Sequence, residues 1–194
     1  MRNPKNRVFV DIHVIQSLPP SCVNRDDTGS PKTAMYGGVR RARVSSQSWK
    51  HAMREVFRER FSESELSERT KKIVEKVAEQ IELMGTLDKE DAMVKAEKII
   101  NQAGVSTKDS EAKALFFMSS KQAENLARMA LMDPLPSKKD VQAALNAGKG
   151  IDIALFGRMV ADDPALNTDA SAQVAHAIST HKVENEYDYF TAMD

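Results

Sequence analysis

A chain of 194 residues with 41% apolar, 29% charged and 6% aromatic side chains and a mean hydropathy of −0.46 can bury the core of one ordinary domain. That composition excludes collagen-like, disulfide-stapled and disordered classes. No run approaches the roughly 18 consecutive apolar residues of a spanning helix, and the single Cys22 cannot form an internal disulfide, so a reducing, cytoplasmic setting with no membrane partner is expected. The zero formal net charge hides an asymmetry. Residues 1–60 hold 12 Lys+Arg against 5 Asp+Glu, a net of +7, whereas the remaining 134 hold 16 against 23, a net of −7. Such a division points to a polyanion-facing element attached to a solvated body.

In chain order, Met1–Arg7 is basic, but the apolar run after it is broken by Asp11 and His13 and does not match a signal peptide. Residues 7–16 are β-branched-rich and alternate between a wholly apolar face (Val8, Val10, Ile12, Val14) and a mixed one (Phe9, Asp11, His13, Ile15), which predicts a strand. Residues 17–44 carry Pro19-Pro20, Gly29-Ser30-Pro31 and Gly37-Gly38 without a regular period, so a long functional loop is expected. Ser45-Ser46-Gln47 then opens a helix to about Arg60, with Ser45 or Ser46 as N-cap. On it Trp49, Met53, Val56 and Phe57 form an apolar stripe for the core. Gln47, Lys50, Arg54 and Arg58 fall at i, i+3, i+7 and i+11 on a separate basic stripe.

From 61 to about 147 the pattern is helical. Ser62-Glu63-Ser64-Glu65 reads as a capping box, Asp88 and Ser119 as N-caps, and Ser137 as the start of a short further helix closed by Gly148. Ala114–Met118 is left open between strand and buried helix, and 173–183 likewise. Ile151–Phe156 alternates weakly, which predicts a return to strands, and Tyr187–Asp194 reads as a closing aromatic strand.

The residues with binding chemistry concentrate between Arg25 and Arg58. Arg40, Arg41 and Arg43 follow a Gly-Gly pair that permits close backbone approach, and Ser45, Ser46 and Gln47 lie beside the free N–H groups of a helix start. This combination suits a ribose-phosphate chain better than duplex base edges. A solvated basic face is the plain alternative. Asp26-Asp27 has the chemistry to bind a divalent ion, although Asp also favours turns. His13, His51, His176 and His181 lack tight ligand spacing, and neither Gly-x-Ser-x-Gly nor a Walker A pattern is present.

Asp11–Ser17, Asn24–Asp27 and Gly37–Lys50, followed by Asp152–Met159, Ala175–His181 and Tyr189–Ala192, closely resemble the CasC family, the Cas-seven-type backbone subunits of type I-E CRISPR Cascade. The resemblance implies an α+β chain: an RRM-like (ferredoxin-like) palm, incomplete here, with a large helical fingers insertion. It places the first part of the palm at 1–60, the fingers at 61–149 and a return to palm strands at 150–194, truncated before the thumb hairpin is complete. It also implies a scaffold and not an enzyme, with no catalytic residue, metal or cofactor. Copies polymerise as a helical filament along a CRISPR RNA (crRNA) in an antiviral defence complex. The implied partners are CRISPR RNA, other copies, other Cascade subunits and, through guide pairing, target DNA. Arg25, Lys32, Arg40, Arg41, Ser45, Gln47, Lys50 and Arg54 are implied to contact RNA phosphates and riboses, and Met159 to wedge against a base at a kink. The family often has a lysine where this chain has Val39. A metal-dependent ribonuclease of the type III backbone kind using Asp26, and a stand-alone RNA-binding module, remain the alternatives.

Overall fold

A computed structural model describes residues 8–85, 87–160 and 163–185. The chain divides into two compact units, one formed by residues up to Val44 and from Ala177, the other by Ser45–His176.

The smaller unit is built on a hairpin. Strands β1 (Thr33–Tyr36) and β2 (Val39–Val44) pair antiparallel, with Tyr36 opposite Val39 and Thr33 opposite Ala42. The two-residue turn is Gly37-Gly38, at φ +65° and +77°, a conformation glycine adopts without steric cost and one whose twist matches the flanking strands. A third strand, β7 (Ala177–Ile178), adds to the far edge of β2. The Ser179 N–H donates to Ala42 O and the Val183 N–H to Arg40 O, extending that pairing. The expected loop at 17–44 therefore ends in a hairpin, and the open segment 173–183 is extended.

Residues 8–16 form no ladder among the described residues, and Ile15 is 94% exposed. This corrects the strand expected there. Its β-branched alternation is genuine, but a strand exists only where a neighbour takes its N–H and C=O groups. Arg7 and the expected closing strand at 187–194 lie outside the described residues.

The larger unit holds the core. It runs through α1 (Ser46–Arg60), β3 (Ser67–Thr70), α2 (Ile73–Leu83), α3 (Lys89–Ala103), the short pair β4 (Thr107–Lys108) and β5 (Glu111–Ala112), β6 (Phe116–Ser119), α4 (Ser120–Ala130), α5 (Lys138–Asn146) and α6 (Ile151–Phe156). Ile73, Val77 and Ile81 of α2, Ile99 and Ile100 of α3, Leu126 of α4 and Val141 and Leu145 of α5 form one core, in which α5 packs on α3 and α4. Burying each such side chain contributes about 1.5–3 kcal/mol. The expected caps form: Asp88 accepts from the Asp91 N–H, Ser119 and Gln122 close a capping box, and Ser137 accepts from the Asp140 N–H.

Three local expectations change. The Ser62/Glu65 capping box closes a 3-10 turn (Glu63–Glu65), and β3 intervenes before α2 begins. Ala114–Met118 resolves in favour of strand, with β6 antiparallel to β3 and Arg69 directly opposite Phe117. Ile151–Phe156 is one and a half turns of helix, not strand. Gly157 N–H closes onto Ile153 O, and Gly157 at φ +77° ends the helix. Six residues are too few for a weak alternation to outvote the two flanking glycines.

Candidate nucleic-acid interface

In the smaller unit a tight turn precedes the hairpin. Asp26 Oδ1 accepts from the Thr28 hydroxyl (2.7 Å), the Thr28 N–H (2.9 Å) and the Ser30 N–H (3.0 Å). These bonds, the Thr28 hydroxyl first, with the Lys32 charge adding, hold the Asp26 carboxyl below its ordinary value. Asp26 is thereby engaged in shaping its own loop, and Arg25 is tied into the same turn, its guanidinium donating to Gly29 O at 3.4 Å. On β2, adjacent residues point to opposite faces. Arg41 Nε donates to Tyr36 O (3.1 Å) and a terminal nitrogen donates to Ser179 O (3.0 Å), so Arg41 straps the hairpin to the strand beside it. Arg40 is exposed, and among the described residues its guanidinium has no partner. Lys32 lies at the entrance to β1, partly exposed.

In the larger unit Ser45, 4% exposed, caps α1 by accepting from the Ser48 N–H at 3.2 Å. The Ser46 N–H donates to Nδ1 of His176 at 3.0 Å. Protein groups thus already occupy two of the helix-start donors that the sequence offered to phosphate. Gln47 is exposed at the same end.

The apolar stripe expected to face the core does not do so. No residue of α1 is buried, Trp49 is 36% exposed, and Trp49, Ala52, Met53, Val56 and Phe57 line an open groove of ≈ 260 Å³. The side that packs within this unit carries the cations. The Arg54 guanidinium stands 5.2 Å from the Phe117 ring centroid and 4.9 Å from that of Phe156. Its Nε is 4.0 Å from Oδ2 of Asp152, a carboxylate 4% exposed whose Oδ1 accepts from the Ser67 N–H at 3.0 Å. Burial lowers the Arg54 pKa, Asp152 opposes that shift, and the charges of Arg69 and Arg58 reinforce it. Lys50 Nζ lies 5.9 Å over Phe156, and Phe57 stacks on the same residue at 6.0 Å.

Met159 is 86% exposed and stands beside a firm anchor. Arg158 is buried, donates to Leu166 O, Phe117 O and Asn146 Oδ1 at 3.0–3.2 Å, and covers the Phe116 ring at 4.6 Å. Burial pushes its pKa down to about 10. Arg158 and Thr168 exchange backbone hydrogen bonds. Phe156, Met159, Thr168 and Asp169 line one open depression of ≈ 310 Å³.

The predicted residues therefore fall into two sets. Arg25, Lys32, Arg40 and Arg41 share the hairpin unit. Ser45, Gln47, Lys50, Arg54 and Met159 share the helical one. Sequence reasoning missed Phe117, Phe156, Asp152 and Arg69 around Arg54, and Arg158 behind Met159. Asp152, Phe156 and Arg158 fall in the Asp152–Met159 block that carries the resemblance, whereas Phe117 and Arg69 left no signal. Among the described residues no group of three or more His, Cys, Asp or Glu side chains gathers as a metal site, and no helix is long and apolar enough to cross a membrane.

Both units together define a mixed α+β protein with small antiparallel sheets and exposed cations on a hairpin and a helix. Residues 10–194 match a Cas family described as CT1975-like protein, and the chain belongs to that family. Its fold is similar to a chain of a "CRISPR RNA-guided surveillance complex" at TM-score 0.65 and 31% identity, covering 86% of this chain and 57% of that one. A "CRISPR RNA-guided surveillance complex, pre-nicking" gives TM-score 0.69 and 32% identity, with 90% and 53% covered. The chain thus spans a little over half the length of these solved relatives. No curated protein matches it.

Proposed function

We propose that this protein is a CasC-like backbone subunit of a type I-E Cascade surveillance complex. Copies polymerise along a CRISPR RNA, hold its phosphates and riboses, and leave its bases exposed to pair with target DNA. Arg40 carries this reading: an exposed guanidinium, unpartnered among the described residues, set on a Gly37-Gly38 hairpin in a chain that belongs to a Cas family over residues 10–194. Lys50 and Gln47 on α1 supply further contacts that read phosphate and ribose, not base identity. Met159, exposed beside the rigid Arg158 anchor, is the wedge that turns a base out of line. In this reading the β1–β2 hairpin unit belongs to an RRM-like palm and the bundle of α2–α5 to its fingers insertion. Asp26 shapes the loop that presents Arg25, and the subunit scaffolds RNA without cutting it.

The test is single-stranded RNA binding measured against salt. Each phosphate neutralised on a single strand contributes about −0.7 to the slope of log K against log salt, so roughly six cations give a slope near −4. Arg40→Ala with Lys50→Ala should weaken binding to every sequence alike and make the slope shallower by about 1.4. An unchanged slope would sink the assignment.

A further inference from the structure

The cluster around Arg54 is more cationic than its neighbourhood neutralises. Arg54 and Arg58 lie one turn apart on α1, and Arg69 comes from β3, directly opposite Phe117 in the β3–β6 register, with its guanidinium 5.9 Å over that ring. Lys50 flanks Phe156 on the other side. Among the described residues two carboxylates answer these four cations. Asp152 is turned inward onto the Ser67 N–H, and Glu55 is bonded to Arg58 at 2.6 Å. Among the described residues Arg69 is exposed and has no acidic partner. Arg54 Nε is buried with no hydrogen-bond partner among those residues, so stacking on Phe117 and Phe156 does much of the work of holding this guanidinium in place.

A guanidinium held over an aromatic ring keeps N–H donors on its edge, a fork that can bond the two free oxygens of a phosphodiester. Gathering like charges is unfavourable in an isolated surface and becomes favourable once a polyanion lies across it.

We propose that Arg58 and Arg69, the two cations whose charges bear on Arg54, form with it a further phosphodiester subsite for single-stranded nucleic acid, running from α1 onto the β3–β6 pair. This rests on the nucleic-acid reading above and extends it to two residues outside the predicted set. The shared chemistry is the phosphodiester chain, and its source is either the guide RNA or a paired DNA strand. An acidic protein surface is the competing occupant. Nucleic acid is favoured because the patch continues the α1 face that already carries Lys50.

The experiment measures binding of the protein to single-stranded homopolymer RNA and DNA of equal length over a salt series. Arg58→Gln/Arg69→Gln is compared with Lys50→Ala, and unfolding midpoints serve as the folding control. The subsite predicts weaker binding and a slope shallower by about 1.4 for the double variant. Loss confined to RNA assigns the guide strand, and loss confined to DNA assigns the paired strand. Arg69→Lys, which keeps the charge without the fork, should recover most of the slope and so separates charge from packing. Unchanged affinity and slope in the double variant, while Lys50→Ala weakens binding, would overturn the subsite and leave the proposed function standing. A wild-type protein that binds neither polymer would overturn both. Intact binding with lost assembly of copies on RNA would overturn the subsite in favour of an acidic protein surface.

Discussion

Arg54 meets the buried carboxylate of Asp152 at 4.0 Å while its guanidinium lies over the rings of both Phe117 and Phe156. One side chain thereby ties α1 to β6 and to α6, and a residue read from the sequence as a phosphate contact is also a structural tether. Asp152→Ala removes both the counter-charge and the acceptor of the Ser67 N–H. It should cost about 2 kcal/mol, less than the roughly 3–5 kcal/mol of breaking a fully buried pair, because Arg54 keeps 26% of its side-chain exposure. Urea unfolding checks this. For the same reason Arg54→Ala lowers stability as well as affinity, so Arg40 and Lys50 are the cleaner probes of RNA binding.

Arg158 makes the corresponding contribution behind Met159. Arg158→Met keeps side-chain bulk but strips the carbonyls of Leu166 and Phe117 of their donor. Leaving buried acceptors unpaired should cost about 2–4 kcal/mol, read as a lowered unfolding midpoint. Met159→Ala, at an exposed position, should leave that midpoint unchanged and the salt slope intact. Its effect should appear in the fluorescence of a base analogue placed along the bound RNA, as restored stacking at the kink.

Gly157 sets the direction in which the chain leaves α6. Its φ is +77°, and an added Cβ would come within 2.7 Å of Thr168 O. Gly157→Ala should therefore destabilise by about 1–3 kcal/mol through backbone strain. It should also displace Met159, lowering base unstacking as well as stability.

Acid sensitivity follows from paired carboxylates. The Lys138 ammonium, 2.9 Å from Asp163, holds that carboxyl below its ordinary value, and the Ala165 N–H adds to the effect. The Lys121 side chain does the same for Glu124, and the Ser62 hydroxyl for Glu65. Each folded-state pKa lies below the unfolded one, so the stabilisation is complete above the unfolded values near pH 4–4.5 and is lost as pH falls through the lowered folded values. Unfolding midpoints should drop below about pH 4, and Asp163→Asn should flatten part of that drop.

What could be read from the sequence is what depends on near neighbours. Ser45, Asp88, Ser119 and Ser137 cap helices through bonds to N–H groups three residues on, and the sequence marks all four helix starts, leaving only the choice between Ser45 and Ser46 open. The Gly37-Gly38 hairpin was equally local, yet its turn signal was submerged in a long stretch of loop-forming residues. Residues 8–16 show the opposite failure: correct alternation without a strand, because pairing is a property of two segments. The Arg54 site was half legible. Helical spacing separates the basic stripe from the apolar one, but the rings that hold Arg54 come from β6 and α6. Periodicity therefore could not show that the basic side of α1 is the one that packs within its unit, while Trp49 and Met53 line an open groove.

Assembly along RNA is tested by the mass of complexes formed on single-stranded guide RNAs of increasing length, by native mass spectrometry or sedimentation. A backbone subunit predicts whole-copy increments that grow in proportion to RNA length and are lost with Arg40→Ala/Lys50→Ala. One copy per RNA at every length would contradict the account and leave a stand-alone RNA-binding module.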